Sequence, residues 1–361
     1  MAKILPTVST PYPGSVPKVT LKFDQRGVLR ARFHETRTVR YFDLNTDPTE
    51  LQNYLRHLGW LTADETIASI EKPGEGNMNV VLRLRTDRRS LILKQSRPYV
   101  QKYRQLAAPL DRIDVEQRFY HAVEGTATKQ HLPAVLAYAA AEHLLLLEDL
   151  GASSDLTALY AERAVSDELL NTLVRLLADI HRSVPPADFP ENRALRELNH
   201  QHIFVLPFLA DNGFALEDVQ PGLEELAAPF KSDDGLKKIV AELGDRYLRA
   251  GDTLLHGDYY PGSWLRTERG VYVIDPEFSF VGFREYDLGV MVAHTYLATH
   301  DATAVERVLN AYDLDCDAQR VRQMAGIEVV RRLIGLAQLP LERSLAEKGT
   351  LLAQARRWIM E

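Results

Sequence analysis

Between Leu254 and Asp287 the chain reads LLHGDYYPGSWLRTERGVYVIDPEFSFVGFREYD, in which two apolar strands each run into a loop that carries carboxylates. Thr253-Leu254-Leu255 leads into His256-Gly257-Asp258, and Val271-Tyr272-Val273-Ile274 leads into Asp275-Pro276-Glu277. The β-branched and aromatic run predicts a buried strand whose end delivers Asp275 into a cleft. A carboxylate there is costly unless a positive group sits against it. Magnesium meets that need, because it takes one or two carboxylates together with substrate phosphates. Asp258, seventeen positions earlier in a polar loop, is placed to accept the proton of a substrate hydroxyl. Taken singly, HGD reads as a turn and DPE as a proline-set strand exit; together, at this spacing, they point to phosphoryl transfer.

A chain of 361 residues can bury a core large enough for two lobes. Its 45% hydrophobic and 26% charged content is that of an ordinary globular protein. The net charge of -7 argues against nucleic acid or an anionic membrane as partner, so an anionic ligand must be held by local basic groups. Cys316 is the single cysteine, which excludes an internal disulfide and a thiol metal cluster. The N-terminus lacks an apolar core of signal-peptide length and no run approaches a membrane span, so a cytoplasmic protein is expected.

Residues 1–17 are rich in Pro, Ser and Thr and read as an extended arm. Lys18 to Phe23 and Val28 to Phe33 flank Asp24-Gln25-Arg26-Gly27 as a hairpin would, and Thr38 to Phe42 reads as a further strand. Asp47 caps a helix with Leu51, Tyr54, Leu55 and Leu58 on one face, ended by Gly59. Strands follow at Ile67 to Lys72, Asn79 to Arg85 and Ser90 to Gln95, then a helix through Val115, Phe119 and Val123, then a strand at Leu144 to Leu147. Beyond about residue 155 the pattern is helical outside the 252–290 stretch. Strands with one helix, followed by mostly helical sequence, predict an α+β fold of two lobes. The expected division is 1–45 for arm and hairpin, 46–149 for a β-rich N-lobe and 150–361 for a helical C-lobe.

The turn Gly74-Glu75-Gly76-Asn77-Met78-Asn79 joins two of these strands, so its backbone can approach phosphates and donate N–H groups; turn glycines also occur for conformational reasons alone. Lys94 ends Leu91-Ile92-Leu93 on the next strand, where its ammonium reaches nucleotide phosphates. It needs an acidic partner. Glu116, on the following helix beside Val115, Phe119 and Tyr120, is the first choice and Asp114 the second, with a solvated carboxylate as the alternative. Glu148-Asp149-Leu150, after the Leu144 strand, stands where a hinge backbone would meet adenine, or else simply exits a strand. His181 ends an apolar helix and is expected to pack near the catalytic loop. Arg331 and Arg332 sit between Val329-Val330 and Leu333-Ile334. Neighbours on a helix diverge by about 100°, so at least one of the two must leave the apolar face. His200 and His202 have no companions at metal spacing.

In these blocks the chain resembles the aminoglycoside phosphotransferase and choline kinase superfamily, and within it the 5-methylthioribose kinases. The glycine turn is similar to G-x-G-N-x-N, Leu93 to Val100 to V-K-Q-A-x-P-Y-V, and Leu147 to Leu150 to M-E-D-L. His256 to Ser263 resembles H-G-D-L-H-T-G-S, Asp275 to Phe280 resembles D-P-E-F-A-F, and Arg331-Arg332 resembles the twin arginine of that subfamily. The blocks fall in order over roughly residues 50–340.

The resemblance implies a protein kinase-like bilobal fold that transfers a phosphoryl group from ATP, with magnesium, to a hydroxyl of a small metabolite, methylthioribose or a related pentose. It implies Asp258 as catalytic base and Asp275, Glu277 and Ser263 around the metal. Gly74, Gly76, Asn77, Asn79, Lys94, Glu116, Glu148 and Leu150 are implied on the nucleotide side, and Tyr259, Arg331, Arg332 and His202 beside the substrate. Ser263 stands where most of the superfamily has Asn, as it does in the methylthioribose kinases. Relatives of this type are often dimers, so a homodimer is implied too. Tyr259-Tyr260-Pro261 replaces the usual Leu-His-Thr, and the segment Asn199 to Phe208 and the N-terminal arm also depart from the pattern. These departures keep another sugar, an amino alcohol or an aminoglycoside in view as acceptor, and a nucleotide-binding regulator as a rival class. A protein substrate is disfavoured because no A-P-E signature follows Asp275.

Overall fold

The computed structural model describes residues 19–23, 29–33, 39–74, 78–339 and 341–361. By internal contacts the chain divides into two units, Met1–Tyr41 and Phe42–Glu361. In the first, β1 (Val19–Phe23) and β2 (Leu29–Phe33) pair antiparallel, with Val19 opposite Phe33 and Phe23 opposite Leu29. The turn of this hairpin, the arm before it, and Gly76 and Asn77 of the glycine turn lie outside the described residues.

The second unit opens without the strand expected up to Phe42. Residues 39–42 form no ladder; instead the Phe42 N–H donates to Gln95 Oε1 at 3.0 Å and its ring packs 5.0 Å from that of Tyr54. Helix α1 (Pro48–His57) is capped as expected, Asp47 Oδ1 accepting from the N–H groups of Thr49 and Glu50 at 2.7 and 3.1 Å. Next come β3 (Ile67–Glu71), β4 (Val80–Thr86), β5 (Ser90–Gln95), a small pair β6 (Tyr99–Val100) and β7 (Tyr103–Ala107), helix α2 (Arg112–Ala122), β8 (Val135–Ala139) and β9 (Leu144–Glu148). Five of these strands make one antiparallel sheet in the order β3-β4-β5-β9-β8.

The central strands of that sheet serve two hydrophobic cores at once, because successive side chains point to opposite faces. Leu144 and Leu146 join Leu91, Leu93 and α1 residues Leu51 and Leu55 in the smaller core, while Leu145 and Leu147 face the larger one. Burying each such leucine is worth about 1.5–3 kcal/mol. Lys94 pairs directly with Leu145 and so lies on the face turned toward the larger core.

The rest is mainly helical: β10 (Ser153–Asp155), α3 (Leu159–Glu162), α4 (Asp167–Arg182), α5 (Arg193–His200), α6 (Leu223–Ser232), α7 (Asp234–Tyr247), β11 (Thr253–Leu255), β12 (Trp264–Thr267), β13 (Gly270–Val273), β14 (Phe280–Gly282), α8 (Glu285–Thr299), α9 (Ala304–Ala311), α10 (Ala318–Ile334) and α11 (Leu345–Met360). The α+β architecture, with a small β-rich lobe and a larger helical one, is therefore as expected. Helix α8 is buried on all sides, the mark of a core helix. It packs on α10 at Gly289, where a Cβ would stand 2.4 Å from Met324 Cβ; that close crossing sets the spacing of the polar groups on both helices.

Candidate active site

Strand β11 pairs antiparallel with β14, and the loop leaving β11 carries Asp258. Its shape is fixed by Asp287, fully buried in the first turn of α8, whose Oδ2 and Oδ1 accept the backbone N–H groups of His256 and Gly257 at 2.7 and 3.0 Å. Gly257 has φ 85°, and a Cβ there would sit 2.1 Å from Phe278 O, so the turn needs glycine. His256 ties this loop to the next. Its Nδ1 accepts from the Asp258 N–H at 3.3 Å and its Nε2 lies 3.0 Å from Ile274 O. The ring is therefore neutral with its proton on Nε2, and burial lowers its pKa in the same sense. His181 Nε2 lies 3.3 Å from Asp287 Oδ2, packing near the loop as the sequence suggests.

The Asp258 carboxylate has 25% of its side chain exposed, and Arg332 Nη2 lies 3.6 Å from its Oδ1. Burial pushes its pKa up to about 6, against the opposing pull of Arg332 and Arg331. The two arginines in turn share Glu328, which is fully buried on the same helix.

Asp275, two residues past β13, takes a left-handed conformation, φ 61° and ψ 48°, which costs a non-glycine residue about 1–3 kcal/mol. That conformation turns its side chain, 48% exposed, toward Lys94: Nζ stands 2.5 Å from Asp275 Oδ1 and 2.7 Å from Glu116 Oε1. Burial works against a charged Lys94, but Asp275, Glu116 and Glu277 outweigh it and hold its pKa above the usual lysine value. Two residues on, Glu277 accepts from Asn79 Nδ2 at 3.0 Å and lies 3.2 Å from Arg112 Nε. Burial pushes Glu277 up to about 8, opposed by Arg112 and Lys94. Arg112 also donates to Met78 O at 2.9 Å, Arg97 O at 2.9 Å and Asn79 Oδ1 at 2.9 Å, so one fully buried guanidinium joins the end of the glycine turn to the Asp275–Glu277 loop. Ser263, nearly buried, accepts the Ile274 N–H at 3.0 Å through its carbonyl and so lies against the same loop.

Two groups of expected residues are thus assembled, Lys94, Glu116, Asn79, Asp275 and Glu277 in one and Asp258, Arg331 and Arg332 in the other. His202, half-buried in the helical turn Gln201–Val205, stands near enough to Arg331 for burial and that charge to lower its pKa. Gly74 is exposed at the start of the turn. Glu148 ends β9 and Leu150 lies two residues beyond it. Here the Glu148 N–H is taken by Ala134 O at 2.9 Å and the carboxylate by Arg269 at 2.9 Å, while Asp149 is gripped by Arg83 at 2.8 Å. Tyr259 is the exception among the substrate-side residues. It is fully buried, its hydroxyl donates to Leu173 O at 2.8 Å, and its ring packs on His256 and Trp264. The side chain points into the core because Asp258 points out of it; Tyr260 takes the outward place, under the Arg332 guanidinium at 5.0 Å. Tyr259→Phe should accordingly lower unfolding free energy by about 1 kcal/mol and leave kcat and KM unchanged, as chemical denaturation and steady-state rates would show.

Residues 69–326 match the phosphotransferase enzyme family. The chain belongs to that family. Among similar proteins are the methylthioribose kinase of Exiguobacterium sibiricum, 29% identical over 259 residues covering 68% of this chain and 65% of that protein, and methylthioribose kinase 1 of Oryza sativa subsp. japonica, 26% identical over 247 residues covering 64% and 56%. The match therefore spans less than two thirds of the length of either relative. Two solved structures share the fold. One is a choline kinase from Cryptosporidium parvum, with TM-score 0.52, 12% identity and coverage of 87% of this chain and 94% of that one. The other is a choline/ethanolamine kinase family protein from Mesorhizobium loti, with TM-score 0.50, 16% identity and coverage of 86% and 95%.

The family segment includes Lys94, Glu116, Asp258, Asp275 and Asp287 but ends before Arg331 and Arg332, whose bearing on the site rests on geometry alone. Three residues that organise this family member's site were not singled out in the sequence: Asp287, Glu328 and Arg112. For Asp287 a signal existed, an acidic pair, Glu285 and Asp287, opening an otherwise apolar helix. Arg112 and Glu328 look like ordinary helix charges until their partners are known.

Proposed function

We propose that the chain transfers the γ-phosphoryl group of ATP to a hydroxyl of an uncharged, sugar-like acceptor, methylthioribose or a related pentose. Residues 46–149 would hold the nucleotide, 150–361 the acceptor, and residues 1–45 a separate appendage. The observation that carries this reading is the pairing of a carboxylate base, Asp258, with a buried ammonium, Lys94, fixed between Glu116 and Asp275.

Asp275, about half exposed, and Glu277 two residues on turn carboxylate oxygens toward the space beside Lys94 and Arg112, and a divalent cation there would favour the ionised Glu277 that burial alone disfavours. Among the described residues no cluster of three or more His, Cys, Asp or Glu side chains forms a metal cage, and magnesium shared with phosphates needs none. Asp275 and Glu277, with Ser263 beside them, would hold magnesium, which when bound neutralises phosphate charge. Lys94 would contact the nucleotide phosphates, and Glu116 keeps the ammonium in place. Asp258 accepts the acceptor hydroxyl's proton as that oxygen bonds to the γ-phosphorus and the bond to ADP breaks. Arg331 and Arg332 stabilise the charge that develops.

The same arginines bear on the acceptor. Arg331 and Arg332 are balanced by Glu328 and Asp258, so the acceptor side carries no surplus negative charge to draw in a cation. That favours a neutral polyol over an amino alcohol or aminoglycoside. Among the described residues no helix is long and apolar enough to cross a membrane, and a lone thiol suits the reducing, ATP-containing cytoplasm.

The deciding experiment measures ADP release with ATP and magnesium across methylthioribose, other pentoses, choline, ethanolamine and aminoglycosides. Methylthioribose or another pentose should give the highest kcat/KM. A cationic acceptor in that place would overturn the neutral-acceptor reading, and ATP binding with no turnover on any of them would favour a regulator.

A further inference from the structure

The reaction outlined above gives no role to the buried carboxylate behind the arginine pair. Glu328 lies three and four positions before Arg331 and Arg332 on α10, so helical spacing puts all three on neighbouring positions of one face. Its Oε2 accepts from Arg331 Nη1 at 3.0 Å and its Oε1 from Arg332 Nε at 2.6 Å. From α8, His294 Nε2 approaches Oε1 at 3.1 Å, and His294 Nδ1 lies 2.6 Å from the Tyr160 hydroxyl.

The protons in this chain can be assigned. Burial favours a neutral Glu328, but the two guanidiniums outweigh it and hold its pKa well below the usual carboxylate value. An ionised carboxylate only accepts, so His294 donates from Nε2. Burial lowers the His294 pKa to about 4, so the ring is neutral, and its Nδ1 accepts from the Tyr160 hydroxyl. From Glu328 the arrangement runs outward to the site. Arg332 reaches Asp258 with Nη2 and lies over Tyr260, whose ring stands 5.1 Å from that of His294.

We propose that Glu328 is a positioning residue: seated on the neutral His294–Tyr160 pair, it aims Arg331 and Arg332 at the acceptor side of Asp258. Two adjacent guanidiniums repel each other, and each long side chain has rotamer entropy to lose on being fixed. A single buried carboxylate removes both obstacles before the acceptor arrives. The inference rests on the reading that an acceptor hydroxyl is bound beside Asp258.

The test compares Glu328→Gln, Arg332→Ala and the double variant on the best acceptor of the wild type. Glu328→Gln should lower kcat/KM for the acceptor by about 100-fold, since a misplacement of about 1 Å has that effect, with ATP affinity within about threefold. Added to Arg332→Ala it should cost no more than about tenfold, because one of the two guanidiniums it aims is already gone and only Arg331 remains to be misplaced. An equal loss in both backgrounds, or a loss that follows ATP affinity, overturns the proposal. If Glu328→Gln does not fold, Glu328→Asp retains the charge but withdraws it by one methylene; a folded Asp variant with full activity also overturns it. Failure of the functional reading shows separately, as a wild type that turns over no acceptor. Glu328 is then judged by hydrogen exchange of the Arg332 Nε–H in NMR, which should be at least about tenfold faster in Glu328→Gln than in the wild type. Unchanged exchange counts against the proposal.

Discussion

Asp258→Asn should lower kcat by ~10²–10⁴-fold, the usual range for removing a general base, while ATP affinity stays within about threefold. The side chain keeps its shape, and the groups around Lys94 are untouched, so nucleotide binding has no reason to change. What is lost is the acceptor for the hydroxyl proton and the partner of Arg332. The wild type carries a pH signature of the same group. Burial raises the Asp258 pKa to about 6, and a carboxylate with a raised pKa takes up its proton as pH falls through that value. With the ionised form as base, kcat/KM for the acceptor should be flat above about pH 7 and fall about tenfold per unit below about pH 6. The direction of a second shift follows from the same charges: Arg332→Ala removes the nearest cation, so the acid limb should move to higher pH. Full activity in Asp258→Asn, or a flat profile down to about pH 5, would remove Asp258 as base.

The parts legible in the sequence are those in which one residue type serves one local need. The apolar runs at Leu144 to Leu147 and Leu91 to Leu93 mark their strands because every position packs on one core or the other. Lys94 stands out because an ammonium after three apolar residues has to be explained, and the structure supplies Glu116 and Asp275 as the explanation. The Asp47 cap is local and needs no tertiary knowledge. Tyr259 and Tyr260 fail for the opposite reason. Neighbouring residues in a tight loop point opposite ways, and only the position of α4, whose Leu173 carbonyl receives the Tyr259 hydroxyl, decides which of the two faces inward. Arg112 is illegible on similar grounds. Its side-chain partners, Asn79 and Glu277, lie 33 residues before it and 165 after it, and its carbonyl partners Met78, Arg97 and Pro109 all precede the helix, so nothing within the helix itself shows that it is buried. The Tyr103–Ala107 strand escaped because a two-stranded pair beside a helix lacks the buried alternation that marks the main sheet.

Lys94→Met should separate what this lysine does for the fold from what it does for the reaction. Glu116 is fully buried, its Oε2 has no partner among the described residues, and its Oε1 depends on Lys94 at 2.7 Å, with the Tyr120 hydroxyl farther off at 3.4 Å. Removing the ammonium leaves that carboxylate uncompensated, which costs ~3–5 kcal/mol for a broken buried pair. The deficit should shrink as pH falls, since only the distant Tyr120 hydroxyl then opposes the burial that raises the Glu116 pKa, and the folded state gains stability by taking up a proton. Lys94→Met combined with Glu116→Leu exchanges the ion pair for apolar contact and should recover most of the stability, as buried pairs replaced by packed hydrophobic groups commonly do. Activity should not recover. With no ammonium to meet the phosphates, kcat should remain ~10²–10³-fold below that of the wild type, the scale of losing one preorganised electrostatic contact. Denaturant unfolding at two pH values reads the first effect and ADP release the second. If activity returned together with stability, Lys94 would be a structural charge that holds α2 to the sheet and the phosphate contact would have to come from elsewhere; if it does not, Lys94 acts on the nucleotide and Glu116 serves to hold it there.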